Sequence, residues 1–224
     1  MKKLVAFILA VLVPMTGASA DLSLSQLVVE LQAGKHASQD VEVANSGPDP
    51  AYVEVDPREI VAAGTPTEAS RADPDPQKLG LLVSPTRLIL QPGQRRLIRF
   101  ATLAATGDRE RVYRVTVKPV VGKLSSVQSG LKLLVGYDML VLVRPTFPNV
   151  SLIGSRSGDQ LTIRNDGNVS VELSEGKQCT DPRHCTDLAS RRLYAGASWT
   201  QSLKGDAPVD YLEESVAGAD HRRF

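Results

Sequence analysis

Net charge is almost absent from this sequence: 26 basic residues face 25 acidic ones, a formal +1. A chain so balanced sets up no global field to draw a polyanion to its surface, so nucleic-acid binding is not expected. Histidine is scarce too. His36, His184 and His221 lie far apart and lack metal-ligand spacing, which argues against a catalytic zinc site. There is no Gly-x-Ser-x-Gly elbow, no phosphate-cradling glycine loop leading into a helix and no paired acidic motif. The expectation is a protein that is not an enzyme and needs neither cofactor nor metal. Asp49, Asp56, Asp73 and Asp75 lack the regular spacing of a calcium loop and read as solvated carboxylates. Beyond the N-terminus no stretch is continuously apolar for the roughly 20 residues of a membrane helix, so no integral membrane segment is expected.

What the N-terminus does contain is an export signal. Lys2 and Lys3 supply a basic start, residues 4–12 an apolar stretch broken at Pro14, and Ala18-Ser19-Ala20 a small-residue cleavage site. Processing would leave a chain beginning at Asp21. Export brings an oxidising environment to the only two cysteines, Cys179 and Cys185, which stand close together in Cys-Thr-Asp-Pro-Arg-His-Cys. A local disulfide is favoured there over free thiols or a metal site that includes His184.

Between turn residues the chain runs in short Val-, Leu- and Ile-rich stretches with period two, an all-β pattern. Strands are predicted over 22–31, 38–44, 51–59, 80–84, 87–90, 94–102, 111–119, 131–144, 149–155, 160–165, 170–175, 191–194, 200–203 and 209–212. Residues 62–77, rich in Pro, Ala, Thr and Asp, read as a mobile surface loop. Pro145-Thr146-Phe147-Pro148 stops the longest strand and makes the best domain boundary. The expected organisation is a signal peptide over 1–20, an immunoglobulin-like sandwich over 21–145, a short and reduced second sandwich over 146–217, and a disordered tail over 218–224.

Three stretches give the sequence a family likeness. The first is Val83-Ser84-Pro85 followed by Arg87-Leu88-Ile89-Leu90-Gln91-Pro92-Gly93-Gln94 and Leu97-Ile98-Arg99-Phe100. The second is Asp108-Arg109-Glu110-Arg111-Val112-Tyr113-Arg114-Val115, and the third runs from Leu131-Lys132-Leu133-Leu134-Val135 to Val143-Arg144-Pro145. In this order and behind a signal peptide, they resemble the periplasmic chaperones that assemble pili with an outer-membrane usher. The resemblance implies a chaperone that binds pilus subunits by donor-strand complementation and passes them to the usher; the alternative is a structural or accessory pilus subunit.

It also implies roles for residues. Leu131, Leu133 and Val135 are spaced by two and would enter a subunit's groove from one face, with Leu124 and Val127 extending the row and Leu134 turned to the chaperone's own core. The segment 121–130 has the Gly and Ser content of a loop that orders on binding. Glu110 and Arg144 fall where the family carries an ion-pair network at the domain junction, with Asp210 as the expected third partner. The family's two basic carboxylate anchors fall on Val28 and Leu140, so the anchoring role passes to Lys132, Arg114 or Arg99, or to backbone donors. Self-association of the unliganded chain through 131–142 is a further expectation, since an apolar strand edge needs cover.

Overall fold

The computed structural model describes residues 22–32, 34, 36–103, 107–120, 134–181 and 183–224. The signal segment 1–20 and the stretch 121–133, with Leu124, Val127, Leu131, Lys132 and Leu133, lie outside the described residues. In chain order the first half forms β1 (Leu22–Leu24), β2 (Val28–Gln32), β3 (Ser38–Asn45), β4 (Ala51–Val61), β5 (Ala69–Arg71), α1 (Pro76–Leu79), β6 (Leu81–Ser84), β7 (Arg87–Leu90), β8 (Arg95–Thr102), β9 (Arg111–Val120) and β10 (Tyr137–Arg144). The second half forms β11 (Leu152–Ser157), β12 (Gln160–Asn165), β13 (Val171–Asp181), β14 (His184–Asp187), β15 (Arg191–Leu193), β16 (Ser198–Ser202), β17 (Val209–Ser215) and β18 (Gly218–Arg223).

These strands make two sandwiches. In domain one a sheet ordered β1-β3-β8-β6 faces a sheet ordered β2-β10-β9-β4-β5, with β7 also on β4. In domain two β11-β12-β16 faces β14-β13-β17-β18, with β15 also on β13. Period two drives the packing, because alternate side chains leave a strand on opposite faces. Val41 and Val43 of β3, Ile98 and Phe100 of β8, Val115 and Val117 of β9, and Met139 and Val141 of β10 meet in one core. Leu161, Ile163, Val171, Leu173, Leu193, Val209 and Tyr211 fill the other, with Trp199 and Phe224 packed against them. Cys179 and Cys185 are disulfide-bonded and tie β13 to β14.

Four expectations are corrected. The predicted strand 22–31 is two strands in opposite sheets: β1 pairs with β3, and after a break β2 pairs parallel to β10. Ser25 marks the crossing, its N–H bonded to the Glu42 carbonyl and its hydroxyl accepting from the Glu42 N–H. The segment 62–77 is an ordered arm carrying β5 and the single turn α1; Asp75 caps that turn by accepting from the Gln77 N–H, and Gly80 closes it at φ 80. Of the predicted strand 131–144, the described part pairs from Tyr137 onward, while 131–133 lie outside the described residues. Leu134, Val135 and Gly136 precede it without strand pairing, and the residues of β10 that reach the domain core are the odd-numbered ones, so the core role expected for Leu134 is not met. Finally, 218–224 is not a disordered tail: β18 pairs with β17 along its length, and the Phe224 ring packs edge-on to Tyr211 at 6.4 Å.

One local device occurs twice. Asn45 ends β3 and Asn165 ends β12, each followed two residues later by a glycine. The Asn45 side-chain oxygen accepts from the Gly47 N–H at 3.0 Å, and its amide donates to the carbonyls of Asp49 and Leu90 at 2.8 and 3.0 Å. Asn165 does the same with Gly167 at 2.9 Å and with Val169 and Leu193 at 2.8 and 2.9 Å. Both are buried, and each stitches a strand end to a neighbouring turn. Asn165→Ala strands two carbonyls and one N–H, at about 1–3 kcal/mol for each buried group left unsatisfied. The expected loss is about 3 kcal/mol of stability in chemical denaturation, with a similar loss for Asn45→Ala; a change below about 0.5 kcal/mol, the range of an ordinary surface substitution, would contradict this role.

Candidate functional site

The candidate site is the outer face of the six-stranded sheet in domain one, the cleft face on which Tyr194 of domain two packs, where the registers of β4, β9, β10 and β2 line side chains into rows across the strands. At the far tip Ile89, Tyr52 and Val120 form an exposed apolar row. Glu54 follows, between Arg87 at 3.5 Å and Lys118 at 3.4 Å. Asp56, Thr116 and Asp138 come next, then Arg58, Arg114, Leu140 and Val28. The row nearest domain two is Ile60, Val112, Leu142 and Glu30. From polar to apolar along one face, this surface turns into an interdomain contact: Val112, Leu140 and Leu142 are buried with Ala63, and Ile60 and Tyr194 pack against them.

Arg144 ends β10 at the junction. Its guanidinium pairs with the buried Glu110 carboxylate and reaches Glu30 at 2.7 Å through its second terminal nitrogen. Glu110 also accepts from the Ser170 N–H at 3.2 Å, and its own N–H donates to the Asn168 carbonyl at 2.9 Å, so the ion pair is bonded into domain two. Asn168 extends the same crossing, its side-chain amide donating to the Asp108 carbonyl at 2.7 Å and to the Phe147 carbonyl at 2.9 Å. The structure thus brings Glu110 and Arg144 together and leaves Asp210 out. Asp210 is exposed on β17 between Lys177 and Arg223, so its expected place in this network is corrected. Glu30 takes that place. Its signal was faint in sequence: β2 runs parallel to β10, which puts Glu30 opposite Leu142 and beside the guanidinium.

The proposed anchors separate. Arg114 stands on the cleft face in the same row as Leu140 and Val28, which are themselves direct partners in the β10–β2 ladder, and it lies 3.6 Å from Asp138. Arg99 is on β8 in the opposite sheet, held by Asp40 through bonds of 2.8 and 2.7 Å, and so cannot serve the cleft. Leu131, Leu133 and Lys132 lie outside the described residues, while Val135 is 46% exposed just ahead of β10. Tyr194 was missed in sequence because it lies in a turn whose neighbours, Ala195, Gly196 and Ala197, give no sign of a buried contact.

Glu59 lies on the other, core-facing side of β4, opposite Tyr113, where it is held by Arg111 and Arg71. Burial raises its pKa, but hydrogen bonds and charge from Arg111 and Arg71 more than offset it, holding the carboxyl below its ordinary range. Arg111 reaches Glu59 at 2.7 Å and the Leu79 carbonyl at 2.8 Å, so the pair braces α1. A carboxyl depressed by folding contributes stability above its unfolded pKa, and that contribution is lost as pH falls through the folded value. The chain is therefore expected to lose stability on acidification below the glutamate range, and Glu59→Gln to lose less over the same interval. Equal acid sensitivity of the two in denaturant titrations would contradict the assignment.

Among the described residues no cluster of three potential metal ligands occurs, and no helix is long and apolar enough to cross a membrane. A search among curated proteins returned no match. Solved structures match over most of the chain. The class 5 fimbriae chaperone CfaA is 22% identical, with a TM-score of 0.67 over 90% of this chain and 98% of that one. A complex of the Salmonella enterica pilin SafA with the SafB chaperone contains a chain 17% identical, with a TM-score of 0.65 over 93% and 97%. The pre-assembly complex of CsuC with the tip subunit CsuE from Acinetobacter baumannii gives 12%, 0.64, 91% and 98%. At these identities the likeness is one of fold, two sandwiches included. Residues 21–148, more than half of the sequence, match the N-terminal domain of the PapD-type pili and flagellar-assembly chaperones, and the chain belongs to that family.

Proposed function

We propose that this protein is a periplasmic chaperone of the chaperone-usher pathway, which holds a pilus subunit by lending it a strand and delivers it to an outer-membrane usher. The carrying observation is the edge of β10. Its partner β2 covers Leu140 to Arg144 only, while β9 pairs from Tyr137 onward, so the start of β10 has a strand on one side alone among the described residues. By sequence spacing Leu131, Leu133 and Val135 share one parity, so a strand continued backwards from β10 on binding would present all three on one side. A subunit strand added at that edge would receive these side chains into its own groove while pairing backbone to backbone. Three buried aliphatic side chains supply several kcal/mol, at about 1.5–3 each before ordering costs.

Support comes also from the neighbours that were solved as complexes, SafB with a pilin and CsuC with a tip subunit. For the subunit's terminal carboxylate, Arg114 is the proposed anchor on the cleft face, with Lys132 as the second. Release needs no nucleotide, because a neighbouring subunit's strand can replace the donated one and fill the groove better. Export by the leader at 1–20 supplies the compartment, and self-association of free chaperone through the same edge is the expected protection when no subunit is present. Co-expression of the tagged chain in a bacterial periplasm with pilins of its own genome tests the reading. A stoichiometric complex, identified by mass, is the expected result; folded chaperone with no partner would favour an accessory or structural role in the pilus.

A further inference from the structure

The two domains repeat one turn and use it differently. In domain one Gln91, Pro92, Gly93 and Gln94 form a turn on Asn45: the Gly93 N–H donates to the Asn45 carbonyl at 2.8 Å and the Asn45 N–H to Gln94 at 3.0 Å. In domain two Tyr194, Ala195, Gly196 and Ala197 repeat it on Asn165, with Gly196 donating to Asn165 at 2.8 Å and Asn165 to Ala197 at 3.0 Å. The first turn is exposed, and nothing lies within 4 Å of a side chain built on Gly93. The second faces domain one: Tyr194 packs on the apolar cluster of Ala63, Val112, Leu140 and Leu142, and Ala197, part of the core of domain two, lies beside Gly64. The same piece of fold is therefore a solvent turn in one domain and a docking element in the other.

Domain one meets that element with a purpose-shaped turn. Gly64 lies at φ +73, and a Cβ on it would stand 3.2 Å from the Tyr194 ring and 3.3 Å from Ala197 Cβ. Ala62 is held at φ 53, unusual for a residue with a side chain. Its carbonyl accepts from both the Thr65 N–H at 3.1 Å and the Thr65 hydroxyl at 2.8 Å, while the Gly64 N–H donates to Glu68 at 2.6 Å. Backbone kept in an uncommon conformation by this many bonds marks a position the surroundings require. Tyr194 also lines a cavity of about 360 Å³ with Arg109, Glu110 and Ala62, so the ring is not packed all round and its placement depends on this turn and the apolar cluster.

A domain joined at one point can swivel; one joined at two cannot. The first point is the Arg144–Glu110 network with Ser170 and Asn168. We propose that Tyr194, seated by the Ala62–Gly64 turn, is the second, and that it fixes the angle at which domain two stands over the cleft face. It is a positioning residue: it holds the wall of the cleft without being a group the subunit must touch. Arg114 lies close enough for its charge to bear on the Tyr194 hydroxyl, whose pKa burial raises, so the seat adjoins the proposed anchor. The consequence for subunit capture rests on the reading given under Proposed function; the fixed angle does not.

Residual dipolar couplings on the chain from residue 21 read the angle directly. The wild type is expected to fit both domains with one alignment tensor, Tyr194→Phe likewise, and Tyr194→Ala and Gly64→Val with two. Capture of a co-expressed pilin should weaken about tenfold in the latter two, the scale expected of coupling through a positioning element, and by less in the phenylalanine variant, which keeps the ring in its seat and loses only the hydroxyl beside Arg114. Because the substitutions lie between the domains, the couplings within each domain report that it stays folded. A single, wild-type tensor in both Tyr194→Ala and Gly64→Val overturns the seat. Two tensors with undiminished capture overturn its positioning role. If the wild type captures no pilin, the subunit reading falls, and the tensors still decide whether Tyr194 sets the angle.

Discussion

Leu133→Glu is expected to abolish subunit capture while the chain's own denaturation midpoint stays at its wild-type value. Two terms add. The substitution removes a side chain worth about 1.5–3 kcal/mol on full burial, and it asks a carboxylate to enter an apolar groove, where an unpaired charge costs several kcal/mol or forces protonation. Together they correspond to a loss of at least about a hundredfold in affinity, at 1.4 kcal/mol per decade. The fold is expected to be spared because, among the described residues, β10 runs from Tyr137, and its contribution to the core comes from Met139, Val141 and Val143 further along the strand. Val135→Glu, at a 46% exposed position nearer the sheet, should weaken capture in the same direction. Co-purification with a pilin measures both; capture that survives Leu133→Glu contradicts the strand assignment.

Arg144→Ala should cost the chain about 3–5 kcal/mol, the range for breaking a buried ion pair from one side. The Glu110 side chain is 1% exposed, so its carboxylate would be left with the Ser170 N–H and no cation. Arg144→Lys is not expected to restore the loss: the guanidinium spans two carboxylates at once, Glu30 on β2 and Glu110 ahead of β9, a reach that a point charge lacks. Asp210→Ala, exposed on β17, should change stability by no more than about 0.5 kcal/mol, as surface substitutions do. Denaturation of the three variants separates the network drawn from the geometry from the one expected from sequence.

The contrast between Asp210 and Glu30 illustrates what a sequence discloses and what it withholds. The strands themselves were readable, since period two survives in β3, β8 and β9 wherever one face is buried and the other wet. The pairing of strands distant in the chain was not, and it is the parallel contact of β2 with β10 that delivers Glu30 to Arg144. The break of the first strand left only a short trace: the apolar row sits on Leu22 and Leu24, skips Gln26 and resumes out of phase on Val29 and Leu31, too few residues on either side to show that the pieces pair with β3 and with β10 in opposite sheets. The tail 218–224 looked too polar to fold because β18 is an edge strand, exposed along most of its length and fixed by backbone pairing and by Phe224. Tyr194 escaped notice because its environment is assembled from three separate turns and strands, none of which carries a motif for it.

The central claim is that the segment before β10 is lent to a subunit, and amide hydrogen exchange over residues 131–139, compared between free chaperone and a purified chaperone–pilin complex, tests it most directly. Added backbone pairing at that edge should slow exchange at alternate amides along the segment, with little change in β3 and β8 of the opposite sheet. Exchange over 131–139 that is equally fast with and without the subunit, in a complex shown to be intact, would contradict strand donation and place the contact elsewhere on the chain.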